Sequence, residues 1–169
     1  MKARPSAQEW IAHLQLAPHP EGGYYRETYR SSECFTGTGD FPAARSWATA
    51  IYFLLTSDTF SAFHRIRADE MWHFYAGAPL DIYQLSPGGG LQTTRLGPEI
   101  QARQVLQAVV PAGVWFGAKL VHPAPEAYAL VGCTVSPGFD FRDFELAQRQ
   151  ALTDIFPEQA ALIAQLTRD

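Results

Sequence analysis

A chain of 169 residues with 47% hydrophobic and 13% aromatic side chains can bury one sizeable core, so a single domain over residues 1–169 is the natural reading. A net charge of -4 with no run of Lys or Arg argues against the basic stripe of a nucleic-acid binder. No stretch nears the roughly 18 apolar residues of a membrane span, and residues 1–8 lack the apolar segment of a secretion signal. A cytoplasmic protein with no membrane partner is expected, its two distant cysteines, Cys34 and Cys133, reduced.

In chain order, Ser6-Ala-Gln-Glu9 has capping-box spacing, and Trp10, Ile11 and Leu14 give the helix that follows one apolar face. Pro18, Pro20 and Gly22-Gly23 end it. Short alternating runs then predict strands at Tyr24–Arg30, Ala48–Thr56, Ser61–Ile66, Met71–Ala76, Leu80–Leu85, Leu91–Leu96, Gln104–Val110, Val114–Leu120 and Ala127–Val135. Between them sit turn formers such as Ser57-Asp58, Gly97-Pro98 and Pro111-Ala-Gly113, and Gly88-Gly-Gly90 reads as a hairpin turn rather than a phosphate loop. Ser31–Ser46, rich in Gly, Thr and Ser, reads as a flexible loop. A second helix is expected from about Leu146, broken at Phe156-Pro157, with Pro157 opening a renewed helix. The fold class is therefore all-β, a jelly-roll barrel with short helices at both termini.

From Phe63 the chain reads FHRIRADEMWHFYAG, and His64, Ile66, Glu70 and Gly77 fall at the spacing of the first cupin motif, with Ile66 where a second His belongs. Pro111-Ala-Gly113-Val-Trp-Phe116 has the spacing of the second motif, with Phe116 in place of its His. The stretches HPEGGYYRETYRS, TAIYFLL, VVPAGVWFGA and ALVGCTVSPGFDFRDFEL extend the likeness over nearly the whole chain, which resembles the Cupin_5-type group of the RmlC-like cupin superfamily. That resemblance implies a double-stranded β-helix that dimerises. Nucleotide-sugar epimerases and sugar-phosphate isomerases share the wider fold, an analogy of fold alone.

Carried over from the motif, His64 and Glu70 are the two surviving metal positions, whereas Ile66 and Phe116 cannot ligate. No cofactor is expected, and a divalent metal stays open as an alternative. His73 lies three residues after Glu70, so strand parity sends it to the opposite face. Without metal, His64 is the expected acid/base, with Glu70 fixing its tautomer. Glu21, Tyr24, Arg26 and Thr28 form a second candidate patch, in which Arg26 offers its fork to a phosphate or carboxylate or pairs with Glu21 or Glu27. Trp72, Phe74 and Phe116 are candidate ligand-stacking aromatics, Asp140 a candidate acid, and Cys133 inert filler. The expectation is a barrel that binds a small polar metabolite (a sugar, sugar phosphate or nucleotide sugar) as a metal-independent isomerase or epimerase. A non-catalytic binding or sensing module and a metal-dependent oxygenase or isomerase are the alternatives.

Overall fold

The structure is a computed structural model and describes residues 4–37, 39, 41, 43–88 and 90–168. Its helices are α1 (Ala7–Leu14), α2 (Arg149–Ile155) and α3 (Ala160–Gln165). Its strands are β1 (Ala17–Pro18), β2 (Tyr24–Arg30), β3 (Cys34–Phe35), β4 (Arg45–Ser46), β5 (Thr49–Thr56), β6 (Ser61–Arg65), β7 (Asp69–Gly77), β8 (Leu80–Ser86), β9 (Gly90–Leu96), β10 (Gln107–Val110), β11 (Trp115–Leu120), β12 (Tyr128–Ser136) and β13 (Glu145–Leu146). They build a six-stranded sheet in the order β1-β2-β5-β12-β7-β10 and a five-stranded sheet in the order β13-β6-β11-β8-β9, all antiparallel.

Period-two alternation puts one row of side chains after another on the inner face of the first sheet. Tyr25, Phe53, Val131 and Phe74 are in register, as are Glu27, Ile51, Cys133, Trp72 and Ala108. The next row runs Arg30, Thr49, Val135, Glu70 and Val110. Trp72, Phe53, Phe116, Leu80 and Ile82 are almost wholly buried between the sheets. Fully burying such a side chain stabilises by about 1.5–3 kcal/mol.

The termini cover the outer faces. The capping box at α1 forms as expected: the Ser6 side chain accepts from the Glu9 N–H and the Glu9 carboxylate from the Ser6 N–H. Its apolar stripe lies on Leu54 and Leu130, and the Trp10 indole donates to the Tyr128 hydroxyl at 3.0 Å. Leu152, Ile163 and Leu166 cover Phe63, Leu85 and Trp115 on the second sheet.

Three expectations need correction. Ser31–Ser46 is not all loop, because Cys34–Phe35 and Arg45–Ser46 pair, and Arg45 is buried in a two-bonded ion pair with Asp143. Glu145 and Leu146 extend the second sheet against Arg65 and His64, so helix α2 starts only at Arg149, and Pro157 opens a 3-10 turn before α3. The strand expected from Gln104 begins at Gln107, since the Gln104 side chain turns back to accept from the Glu99 N–H at 3.0 Å. Both cysteines are free, Cys34 exposed and Cys133 buried.

Candidate functional site

A β-bulge builds the floor of the barrel. Pairing between β6 and β11 passes from Phe116↔His64 to Ala118↔Ser61, so that two residues of β6, Ala62 and Phe63, lie against one of β11, Gly117. The extra residue breaks the alternation, so Ser61 and His64 reach the same carboxylate although an odd number of positions apart. That carboxylate is Glu21. It is delivered by the turn at Gly22 and Gly23, whose φ angles of +116° and +69° favour glycine, and a Cβ on Gly22 would strike the Phe60 carbonyl.

Ser61 Oγ donates to Glu21 Oε1 at 2.8 Å, and Glu21 Oε2 lies 3.2 Å from His64 Nε2 and 3.5 Å from His19 Nδ1. His64 Nδ1 donates to the Ala62 carbonyl at 2.7 Å. That bond fixes the tautomer, so a neutral His64 has only a lone pair on Nε2, and one proton bridges Nε2 and Glu21 Oε2. Burial pushes the Glu21 carboxyl up and the His64 imidazole down. Both directions favour uncharged forms, which puts the proton on Glu21. His19 Nδ1 accepts from the Glu21 N–H at 3.2 Å, and burial pushes this imidazole down as well.

Glu70 enters from the other sheet. It is 7% exposed, and burial pushes its carboxyl up to about 7. The Cys133 thiol and the nearby Trp72 indole pull the other way, as a charged His64 would, while an ionised Glu21 would add to the rise. Cys133 is correspondingly unreactive, since burial and the Glu70 charge push its thiol well up.

These groups open onto a cavity of about 510 Å3, within the range of sites that enclose small molecules. His19, Glu21, His64, Glu70 and Cys133 form its floor, and Tyr25, Ile51, Phe53, Val135 and Phe139 its walls. Gln15, Arg26, Glu27, Arg30, Asp140 and Phe141 stand at the mouth.

Of the residues singled out from sequence, His64, Glu70, Glu21, Arg26 and Asp140 meet at this cavity. Their roles shift, however. His64 faces Glu21 rather than Glu70, and the Ala62 carbonyl, not a carboxylate, sets its tautomer. Both ring nitrogens of His64 are engaged, and Glu70 is the less engaged group. Asp140 is no proton donor: hydrogen bonds from the Arg142 side chain and N–H, with Arg45 beyond, hold its carboxyl well below the usual range.

Tyr24, Thr28, Trp72, Phe74 and Phe116 do not line the cavity. Tyr24 does share a face with Arg26, but it is the outer face, where Tyr24 packs beneath α1. Tyr25 and Glu27 take the inner face instead. A bulge at Thr28, whose hydroxyl bonds the Ala50 carbonyl, then turns Arg30 to the cavity side. Arg30, not Arg26, takes Glu27, through two bonds of 2.7 and 2.9 Å. Trp72, Phe74 and Phe116 are core beneath the floor, and the Phe116 ring packs 4.1 Å from that of His64. His19, Tyr25 and Ser61 were not singled out. His19 and Tyr25 lie in the quoted HPEGGYYRETYRS stretch, whereas Ser61 carries no signal without the bulge.

Among the described residues no group of three or more His, Cys, Asp or Glu is arranged to hold a metal ion. The donor chemistry explains this: His64 has no free nitrogen, and Ile66 and Phe116 stand apolar and buried at the other motif positions. His73 lies on the opposite strand face, bonded to Thr134 and Gln107, and the β7 register shift comes only after it. His73→Ala should leave ligand affinity unchanged and cost about 1 kcal/mol of stability, checked by paired titration and thermal melts.

The family model Cupin_5, described as Cupin superfamily (DUF985), matches residues 8–147. Protein SO0799 of Shewanella oneidensis is similar in structure at 42% identity with a TM-score of 0.88, over 98% of this chain and 99% of that one. A hypothetical protein from Leishmania major matches at 34% identity with a TM-score of 0.90, over 98% and 100%. The uncharacterized protein YML079W of Saccharomyces cerevisiae is 32% identical over 172 residues, 94% of this chain and 85% of that protein. With its two antiparallel sheets and short terminal helices, the chain belongs to the Cupin_5 (DUF985) family of the cupin superfamily.

Proposed function

We propose that the barrel binds a small polar metabolite of the sugar or sugar-phosphate kind and that Glu70 moves a proton on it, the chemistry of an isomerase or epimerase. One observation carries the reading: a carboxyl poised at about 7 faces a cavity in which two of the other floor groups, Glu21 and His64, are held by each other and by further partners. A base works best when its pKa lies near the working pH, because both protonation states are then populated.

In the step, ionised Glu70 takes the proton from the carbon beside a carbonyl. The C–H pair becomes a C=C bond and the carbonyl π pair moves to oxygen. Protonated Glu70 then returns the proton to the neighbouring carbon, while a hydroxyl proton passes between the two oxygens. No bond outside the ligand changes, so no co-reactant is needed. Glu21, Ser61 and His64 keep the floor rigid, and the aromatic walls exclude water.

A homodimer belongs to the same proposal. The outer face of the six-stranded sheet leaves Tyr29, Met71 and Val109 37–55% exposed, a row that a second copy would cover. The reading is tested on the purified protein with a panel of neutral, carboxylated and phosphorylated three- to six-carbon sugars, scored by thermal shift and then for turnover by NMR. Turnover without added metal, at well under one metal equivalent per chain and at twice the chain mass by sedimentation, is expected. A panel with no binder overturns the binding reading, and stoichiometric metal tracking with activity overturns the metal-free step.

A further inference from the structure

The mouth of the cavity carries four charged side chains, and three of them are already neutralised. Arg30 and Glu27 hold each other by two hydrogen bonds, and an Arg30 Nη2 also donates to the Phe139 carbonyl at 3.1 Å. Asp140 accepts from the Arg142 guanidinium at 2.6 and 3.0 Å, with Arg45 Nη1 3.9 Å away. Arg26 is different. Arg26 lines the cavity, as does Gln15, and the hydrogen-bond partner of its guanidinium is the neutral Gln15 side-chain oxygen, at 3.3 Å from Nη1. Of the two cavity-lining arginines, it alone has no carboxylate partner among the described residues.

How Arg26 comes to be there is informative. Its strand position faces outward, in register with Tyr52, which packs beneath α1. The neighbouring edge strand β1 is only two residues long, so the side chain rounds the sheet edge, and Gln15, the left-handed cap of α1, holds it at the rim. The floor has the opposite character. Among the described residues Glu70 is there without a Lys or Arg hydrogen bond, and in its ionised form it repels an anion from the depth, which leaves the mouth as the place where an anion is accepted.

Building on the proposed metabolite site, we infer that its ligand is bipolar: a neutral hydroxyl- and carbonyl-bearing body on the floor, and an anionic group, carboxylate or phosphate, gripped at the mouth by Arg26. The planar guanidinium fork suits either anion, and charge-assisted bonds to it are the stronger kind. A ligand filling the cavity of about 510 Å3 reaches from Glu70 to Arg26, both of which line it. The order also sets the chemistry, because clamping the far end fixes which carbon stands over Glu70.

The test uses the full-length protein and matched probes: glucose, gluconate and glucose 6-phosphate, with the corresponding three- to five-carbon sets, and inorganic phosphate alone. The anionic member of at least one set should bind about tenfold or more tightly than its neutral partner. Arg26→Gln should reduce that gap to within about threefold, and Arg26→Lys should retain part of it as a point charge without the fork. Comparison of gluconate with glucose 6-phosphate assigns the anion, and melting curves of both variants confirm an intact fold. Neutral sugars bound as tightly as anionic ones, or a gap unchanged by Arg26→Gln, would overturn this inference and leave the metabolite site standing. A panel with no binder, inorganic phosphate included, removes both.

Discussion

Glu70→Gln is expected to lower turnover by about a hundredfold or more, the usual scale for a lost general acid–base group. The variant keeps the shape of the side chain and cannot ionise. Its stability supplies a second readout that needs no substrate. Burial raises the Glu70 carboxyl from its ordinary 4.5 to about 7, so between those values the folded protein holds a proton that the unfolded chain has released. The contribution of this group is complete below about pH 4.5 and is lost as pH rises through about 7. The loss is on the order of 3 kcal/mol. Relative to the parent, Glu70→Gln should therefore gain stability across that window and hold a constant advantage above it. Glu21, His64, Cys133 and Trp72 face the same carboxyl and remain in both proteins, so the difference isolates Glu70. Denaturant melts of the two proteins from pH 4.5 to 8 measure it, and a difference independent of pH would show that Glu70 is ionised throughout.

Glu21→Ala should be the costlier change, at about 3 kcal/mol or more. It leaves Ser61 Oγ without its acceptor and His64 Nε2 without its partner in a site where Ser61 and His64 are almost wholly buried. Glu21→Gln is the informative control. An amide can accept from Ser61 with its oxygen and donate from its nitrogen to the His64 Nε2 lone pair, reproducing the neutral carboxylic acid. With the proton on Glu21, this variant should lie within about 1 kcal/mol of the parent. Were His64 an imidazolium, two donors would face each other and the cost would approach that of Glu21→Ala. Urea titrations of both variants, with the nitrogen NMR shifts of His64, decide between these states.

The barrel was legible in the chain because alternation and breakers are local. Each of the nine expected strands exists, several to within a residue, since Val, Ile, Tyr and Phe at period two cannot bury their apolar side any other way. Motif spacing also placed His64 and Glu70 on the floor, and parity sent His73 outward, because no bulge falls between Glu70 and His73. The capping box at Ser6 was similarly plain.

What lies beyond the chain's local pattern is the set of partners. Alternation alone would put Ser61 and His64 on opposite faces and would keep Arg30 off the face of Glu27. A bulge in β6 and another at Thr28 reverse both, and a bulge is set by how two strands pair, not by either strand's own residues. Glu21 reaches His64 across 43 positions only because a double-glycine turn passes against the Phe60 carbonyl. Thus the amino-acid pattern by itself determined the barrel and which two motif residues enter it. The tertiary structure decided that His64 is bound to Glu21, that burial raises the Glu70 carboxyl, and that Arg26 lines the cavity. The reason is that proton position and free valence depend on contacts between strands, which no local period encodes.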